Sequence, residues 1–147
     1  MGSRDGEPKD TLRNIMSSGE FVTNSVTADL LHLAAQSSAN YAPGKSEAAE
    51  LGVELASSIR VKAPRIASAA VSLECRLERL IPLNDASNHN LVIGRVLCYR
   101  IKDEVFSDGR IDVDKFRAVG RLGGPFYAPL VNVLRVDVDH AAAHHPA

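Results

Sequence analysis

The sequence holds no tryptophan, and three tyrosines with four phenylalanines bring its aromatic content to only 5% of 147 residues. Any core is therefore mainly Val, Leu, Ile and Ala. An excess of one charge is also lacking: 17 Lys and Arg stand against 18 Asp and Glu, a formal net charge of -1. With no Lys/Arg stripe interleaved with aromatics, this excludes the usual footprint of nucleic-acid binding. No apolar run is long enough to cross a bilayer, so no membrane partner is expected. The opening Met1 to Asp10 has no apolar core of a secretory signal, and Gly6 stands where myristoylation wants Ser or Thr. The expected address is the cytoplasm. Only two cysteines are present, Cys75 and Cys98. They lack CxxC spacing, sit in apolar stretches and read as buried thiols, which leaves no metal site to predict. His140, His144 and His145 fall in an Ala-rich stretch, and residues 138–147 read as a disordered tail.

What is present suits one globular domain. Asp5-Gly6 followed by Pro8 reads as a turn. A helix is predicted over Lys9 to Ser18, with Leu12, Ile15 and Met16 on one face, Asp10 or Thr11 as cap and Gly19 as stop. Glu20 to Val26 reads as a strand. Thr27 is the expected N-cap of a second helix carrying Leu30, Leu31, Leu33 and Ala34. A polar loop, Ser37 to Lys45, leads to a short helix over Ser46 to Leu51 that ends at Gly52, and the chain through Lys62 to Arg65 is irregular.

The second half reads as β. Val71, Leu73, Cys75 and Leu77 alternate with Ser72, Glu74 and Arg76, the mark of a strand with one buried and one wet face. The phase slips at Leu80 and Ile81, where a bulge is expected. Asn84 to Asn90 is a hairpin-like connection, Leu91 to Ile101 a second long strand, and Ser107 to Arg110 a turn. Asp112 to Phe116 reads as a helical turn, Val119 to Tyr127 carries Gly123-Gly124, and Val131 to Val138 reads as a last strand. The whole points to a mainly β fold, a small barrel with helical insertions. About four good strands are fewer than a closed barrel of this kind usually has.

Chemistry concentrates in Ser3-Arg4-Asp5-Gly6-Glu7-Pro8-Lys9-Asp10-Thr11. Hydroxyls, a guanidinium and an ammonium meet the start of a helix, where free N–H groups and the dipole favour an anion. That is the make-up of a phosphate cradle. A solvated turn with a helix cap fits the same spacing. The run of glycines and the Gly-Lys-Ser/Thr ending of a Walker loop are missing. His32, in a helix beside leucines, reads as structural, and His89, in the Asn-rich turn, as solvent-facing. Neither has a nearby nucleophile.

These residues carry a resemblance. Asp5 to Ile15, reading D-G-E-P-K-D-T-L-R-N-I, and then Gly19-Glu-Phe-Val22, resemble the flavin reductase-like, FMN-binding split-barrel family. So do Thr27 to Leu30, Ser38-Ala-Asn-Tyr-Ala-Pro-Gly44, Pro64-Arg-Ile66, Leu73-Glu-Cys75, Leu91-Val-Ile-Gly94 with Val96, and Arg121-Leu-Gly-Gly124 with Tyr127. Order and spacing are kept across nearly the whole chain, although no single motif decides. The resemblance implies a homodimer of Greek-key split barrels with FMN near the dimer interface, reduced by NAD(P)H, and in some members a partner monooxygenase. It places Ser3, Arg4, Lys9 and Thr11 at the FMN phosphate, with Asp10 joining through its backbone or as a cap. Arg121, Gly123, Gly124 and Tyr127 come near the flavin or the interface; a tight backbone path for the glycines and simple packing for Tyr127 are the alternative. Family members carry a further segment ahead of the position of Ser3 that supplies the first barrel strands, so residues 1–137 are expected to form an incomplete domain. An FMN carrier and a non-catalytic fragment are the alternatives to a reductase.

Overall fold

A computed structural model describes residues 3–4, 7–42, 44–83 and 89–136, and the side chains of all these except Ser3, Arg4 and Glu7. The expected tail, 138–147, and most of the Asn84 to Asn90 connection lie outside the described residues. The chain opens with a minimal hairpin of β1 (Ser3–Arg4) and β2 (Glu7–Pro8), in which Ser3 lies opposite Pro8. Helix α1 follows at Asp10–Ser18 and buries Leu12 and Ile15, while Met16 is exposed, not packed as its spacing suggested. Gly19 ends the helix as expected: at φ 68° it adopts the left-handed turn that glycine tolerates, and its N–H donates to Ile15 O.

Strand β3 (Glu20–Asn24) leads to Thr27, which is no helix cap. Thr27 is buried and forms an isolated antiparallel bridge with Ala118, so α2 starts only at Leu31–Gln36. Helix α3 (Glu47–Glu50) is capped by the Ser46 hydroxyl, which accepts from the Ala49 N–H at 3.4 Å. A ribbon of β4 (Leu55–Ala56) and β5 (Arg65–Ile66) encloses the loop between them.

The main sheet is antiparallel, in the order β3, β6 (Val71–Pro82), β7 (Asn90–Ile101). Its register slips between Glu74 and Cys75 and between Leu77 and Arg79, upstream of the expected bulge at Leu80 and Ile81. The first slip lets consecutive residues share burial: Glu74 is 0% exposed and Cys75 3%. The expected wet face is therefore corrected, since Ser72 and Glu74 are more buried than Val71 or Leu73. The loop between β4 and β5 supplies the cover. Glu74 accepts from the N–H groups of Ile59 at 3.0 Å and Arg60 at 2.6 Å, and Ser72 donates to Asn24 Oδ1 at 2.8 Å. A buried carboxylate held by backbone donors is a tolerable core group. At Gly94 the sheet packs so closely that a Cβ would come within 2.3 Å of the Phe21 ring.

Beyond β7, β8 (Phe106–Ser107) and β9 (Arg110–Ile111) form a tight hairpin with Asp108 and Gly109 both at positive φ. Helix α4 (Val113–Phe116) is capped by Asp112. A final hairpin joins β10 (Val119–Gly123) to β11 (Phe126–Pro129). It is fastened to the body where Val119 N–H donates to Val26 O, and Leu130 N–H donates to Ala118 O across the base of the hairpin itself. Of the last strand expected over Val131 to Val138, the described part, residues 131–136, joins no sheet, and the rest lies outside the described residues. Of the two thiols, Cys75 is buried, and burial pushes its pKa up; Cys98 is half-buried.

Candidate functional site

The start of α1, like that of α2, has no side-chain cap. Ser46 and Asp112 close α3 and α4 with side-chain hydrogen bonds, but Lys9 occupies the N-cap position of α1 and supplies none. The expected cap from Asp10 or Thr11 is therefore absent; both lie inside the first turn. Leu12 and Arg13 N–H groups bond to Lys9 O at 2.9 and 3.1 Å. Those of Asp10 and Thr11 have no acceptor among the described residues. Two donors without a described acceptor, the dipole's positive end and the exposed Lys9 are thus neighbours at the start of α1. Thr11 is exposed beside them, its hydroxyl without a partner among the described residues.

Asp10 would oppose an anion at this spot if its charge were free. It is not: Arg13 forms an ion pair with Asp10 Oδ1, and the Gly44 N–H donates to Oδ2 at 3.3 Å. The carboxylate also ties the loop after α2 to the start of α1, a link that spacing in the sequence did not reveal. Backbone pairing returns Ser3 to a place opposite Pro8, one residue from Lys9.

The other predicted residues lie apart. Gly123 and Gly124 form the β10–β11 turn with φ of 116° and 52°, which explains their identity by backbone path. Tyr127 is half-buried and pairs with Arg121, whose guanidinium reaches Gly124 O at 3.5 Å. No hydrogen bond or ion pair among the described residues links this hairpin to residues 9–11. His32 and His89 are exposed, and no group of metal-binding side chains occurs among the described residues. No helix there is long and apolar enough to cross a membrane.

The model of the flavin reductase like domain matches residues 5–121. The chain belongs to that family. A crystal structure of nitrilotriacetate monooxygenase component B from Bacillus cereus superposes with a TM-score of 0.86 at 30% identity, over 92% of this chain and 68% of that one. A 2-nitrobenzoate 2-nitroreductase from Pseudomonas fluorescens follows the same path, with a TM-score of 0.81, 30% identity, and coverage of 90% and 66%. By sequence, an uncharacterised protein of Halalkalibacterium halodurans is 35% identical over 136 residues, 90% of this chain and 65% of the relative. The chain spans less than two thirds of the curated relatives it matches: 65% of that protein and 62% of one from Aquifex aeolicus. The flavin reductase-like fold accounts for the mainly β architecture and for the order of motifs in the sequence.

Proposed function

We propose that this flavin reductase-like chain holds the phosphate of FMN at the start of α1 and belongs to an NAD(P)H-dependent flavin reductase. The observation that carries the reading is the first turn of α1, where Lys9 and Thr11 accompany two N–H groups with no acceptor among the described residues. This donor set fits a phosphate: an ammonium, a hydroxyl and backbone donors, with the nearby carboxylate neutralised by Arg13. The reading includes Ser3 and Arg4, which the family resemblance also assigns to the phosphate. FMN, when bound, supplies the capacity to accept a hydride from a nicotinamide and pass electrons on. The chain's own contribution is to anchor and orient: Lys9 offsets the phosphate charge, Thr11 and the helix donors fix its position, and the Asp10–Gly44 link steadies the adjoining loop.

The apolar hairpin and the segment after it support a homodimer, in which Gly123, Gly124 and Tyr127 lie at or near the interface and the flavin. A partner monooxygenase is a reasonable recipient of reduced flavin, given the likeness to a monooxygenase component B. The cytoplasm, where reduced nicotinamides are abundant, is the proposed location. The test is direct. The chain is loaded with FMN and freed of excess by gel filtration, then given NADH or NADPH while absorbance at 340 nm is followed. Co-elution of FMN with nicotinamide oxidation supports the reductase. Retention without oxidation leaves an FMN carrier, and no retention contradicts the reading.

A further inference from the structure

A cavity of about 440 Å³ lies between the start of α1, the end of β3, α2 and α3. Its walls are mainly apolar, with Val26, Leu30, Leu33, Leu51 and Val53 among them. That size and lining are ordinary for a small-molecule site. Its polar groups divide into two kinds. Asn24 Oδ1, Ser25 Oγ and Ser37 Oγ are engaged within the protein: Asn24 Oδ1 accepts from Ile66 N–H at 3.1 Å, Ser25 Oγ accepts from Val71 N–H at 3.0 Å, and Ser37 donates to Ala34 O at 2.9 Å. Thr11 and Glu47 are not spent in this way.

Glu47 decides the chemistry. Glu47 is half-buried and lines the cavity, and its carboxylate has no partner among the described residues. The nearest cation in sequence, Lys45, is paired with Glu50 at 3.5 Å. An unneutralised carboxylate on an apolar wall repels anions and attracts a donor or a cation. We infer that this cavity binds a small, largely apolar amine, with its ammonium at Glu47 and its body against the leucines of α2. Carboxylates of similar shape are excluded by the same charge. This site goes beyond the flavin reading and does not depend on it, since only Thr11 is common to both places.

The probe is benzylamine, titrated into the full chain and followed by calorimetry and by amide chemical shifts, with benzyl alcohol and benzoate as matched controls. Benzylamine is expected to bind and to shift amides of α2 and α3, benzyl alcohol to bind more weakly, and benzoate not to bind. Glu47→Gln should weaken benzylamine by roughly ten- to hundredfold, the range of a lost charge-assisted bond, and leave benzyl alcohol nearly unchanged. Ala34→Phe, which adds bulk to the cavity wall, should weaken both. Failure of benzylamine to bind, equal binding of all three probes, or full benzylamine affinity in Glu47→Gln would each overturn the inference. FMN retention measured on the same wild-type sample reports on the phosphate cradle alone, so the two readings fail separately.

Discussion

The β3–β6–β7 sheet and the β10–β11 hairpin with its trailing segment invert one another. In the sheet the most buried side chains include a carboxylate and a hydroxyl, Glu74 and Ser72. In the hairpin and beyond, large apolar side chains stand in the open: Phe126 is 69% exposed, Val136 80% and Leu134 87%. The sheet is self-sufficient because each buried polar group there meets donors or acceptors within the chain. The other region offers apolar surface with no cover of its own, the mark of an interaction surface. One region therefore explains why the chain has a stable body, and the other is where the proposed second copy would be met.

The comparison is broken most forcefully at Glu74. Glu74→Ala leaves the Ile59 and Arg60 N–H groups without their acceptor and is expected to cost about 3 kcal/mol in urea unfolding. A loss below about 0.5 kcal/mol would mean the loop is held by other means. Next comes Gly94→Ala, whose methyl group meets the Phe21 ring; the ring must move, at about 2 kcal/mol for overpacking. In the hairpin region the expectation reverses. Leu134→Asp should change unfolding of the single chain by no more than about 0.5 kcal/mol, yet convert dimer to monomer in sedimentation velocity. An unchanged dimer would move the interface elsewhere.

The smallest effect lies at Asp112, which caps α4. Backbone N–H donation from Lys115, with its ammonium 3.2 Å away, holds the carboxyl below the usual Asp range. A lowered folded-state pKa stabilises above the unfolded value, and that stabilisation is lost as pH falls through the folded one. The melting difference between wild type and Asp112→Ala should therefore shrink to nothing in acid. A constant difference at all pH values would assign the effect to something other than the carboxylate.

Much of this was legible in the sequence. Leu12 and Ile15 on one face, Gly19 as stop, and the two long strands all follow from periodicity and local conformational preference. The family motifs led to the start of α1. What escaped was non-local. Ser72 and Glu74 look wet by alternation, but Glu74 is covered by a loop from earlier in the chain that contributes N–H groups, and Ser72 donates to the Asn24 side chain on β3. Thr27 looks like a cap, but pairing with Ala118 claims its backbone. Val131 to Val138 has the pattern of a strand, yet a strand also needs a neighbour. Asp10 resembles a ligand contact, while its carboxylate is engaged by Arg13 and by Gly44, far along the chain. Glu47 gave no signal at all, since a glutamate in the first turn of a helix is ordinary until a cavity is seen beside it.

The phosphate cradle is the central claim, and comparative retention of two flavins tests it. Wild type and Lys9→Ala are each equilibrated with FMN or riboflavin, and dissociation constants are read from flavin fluorescence. Lys9→Ala should weaken FMN by about 1–3 kcal/mol and leave riboflavin, which has no phosphate, nearly untouched. Equal losses for both flavins, or no loss for either, would contradict a phosphate site at the start of α1.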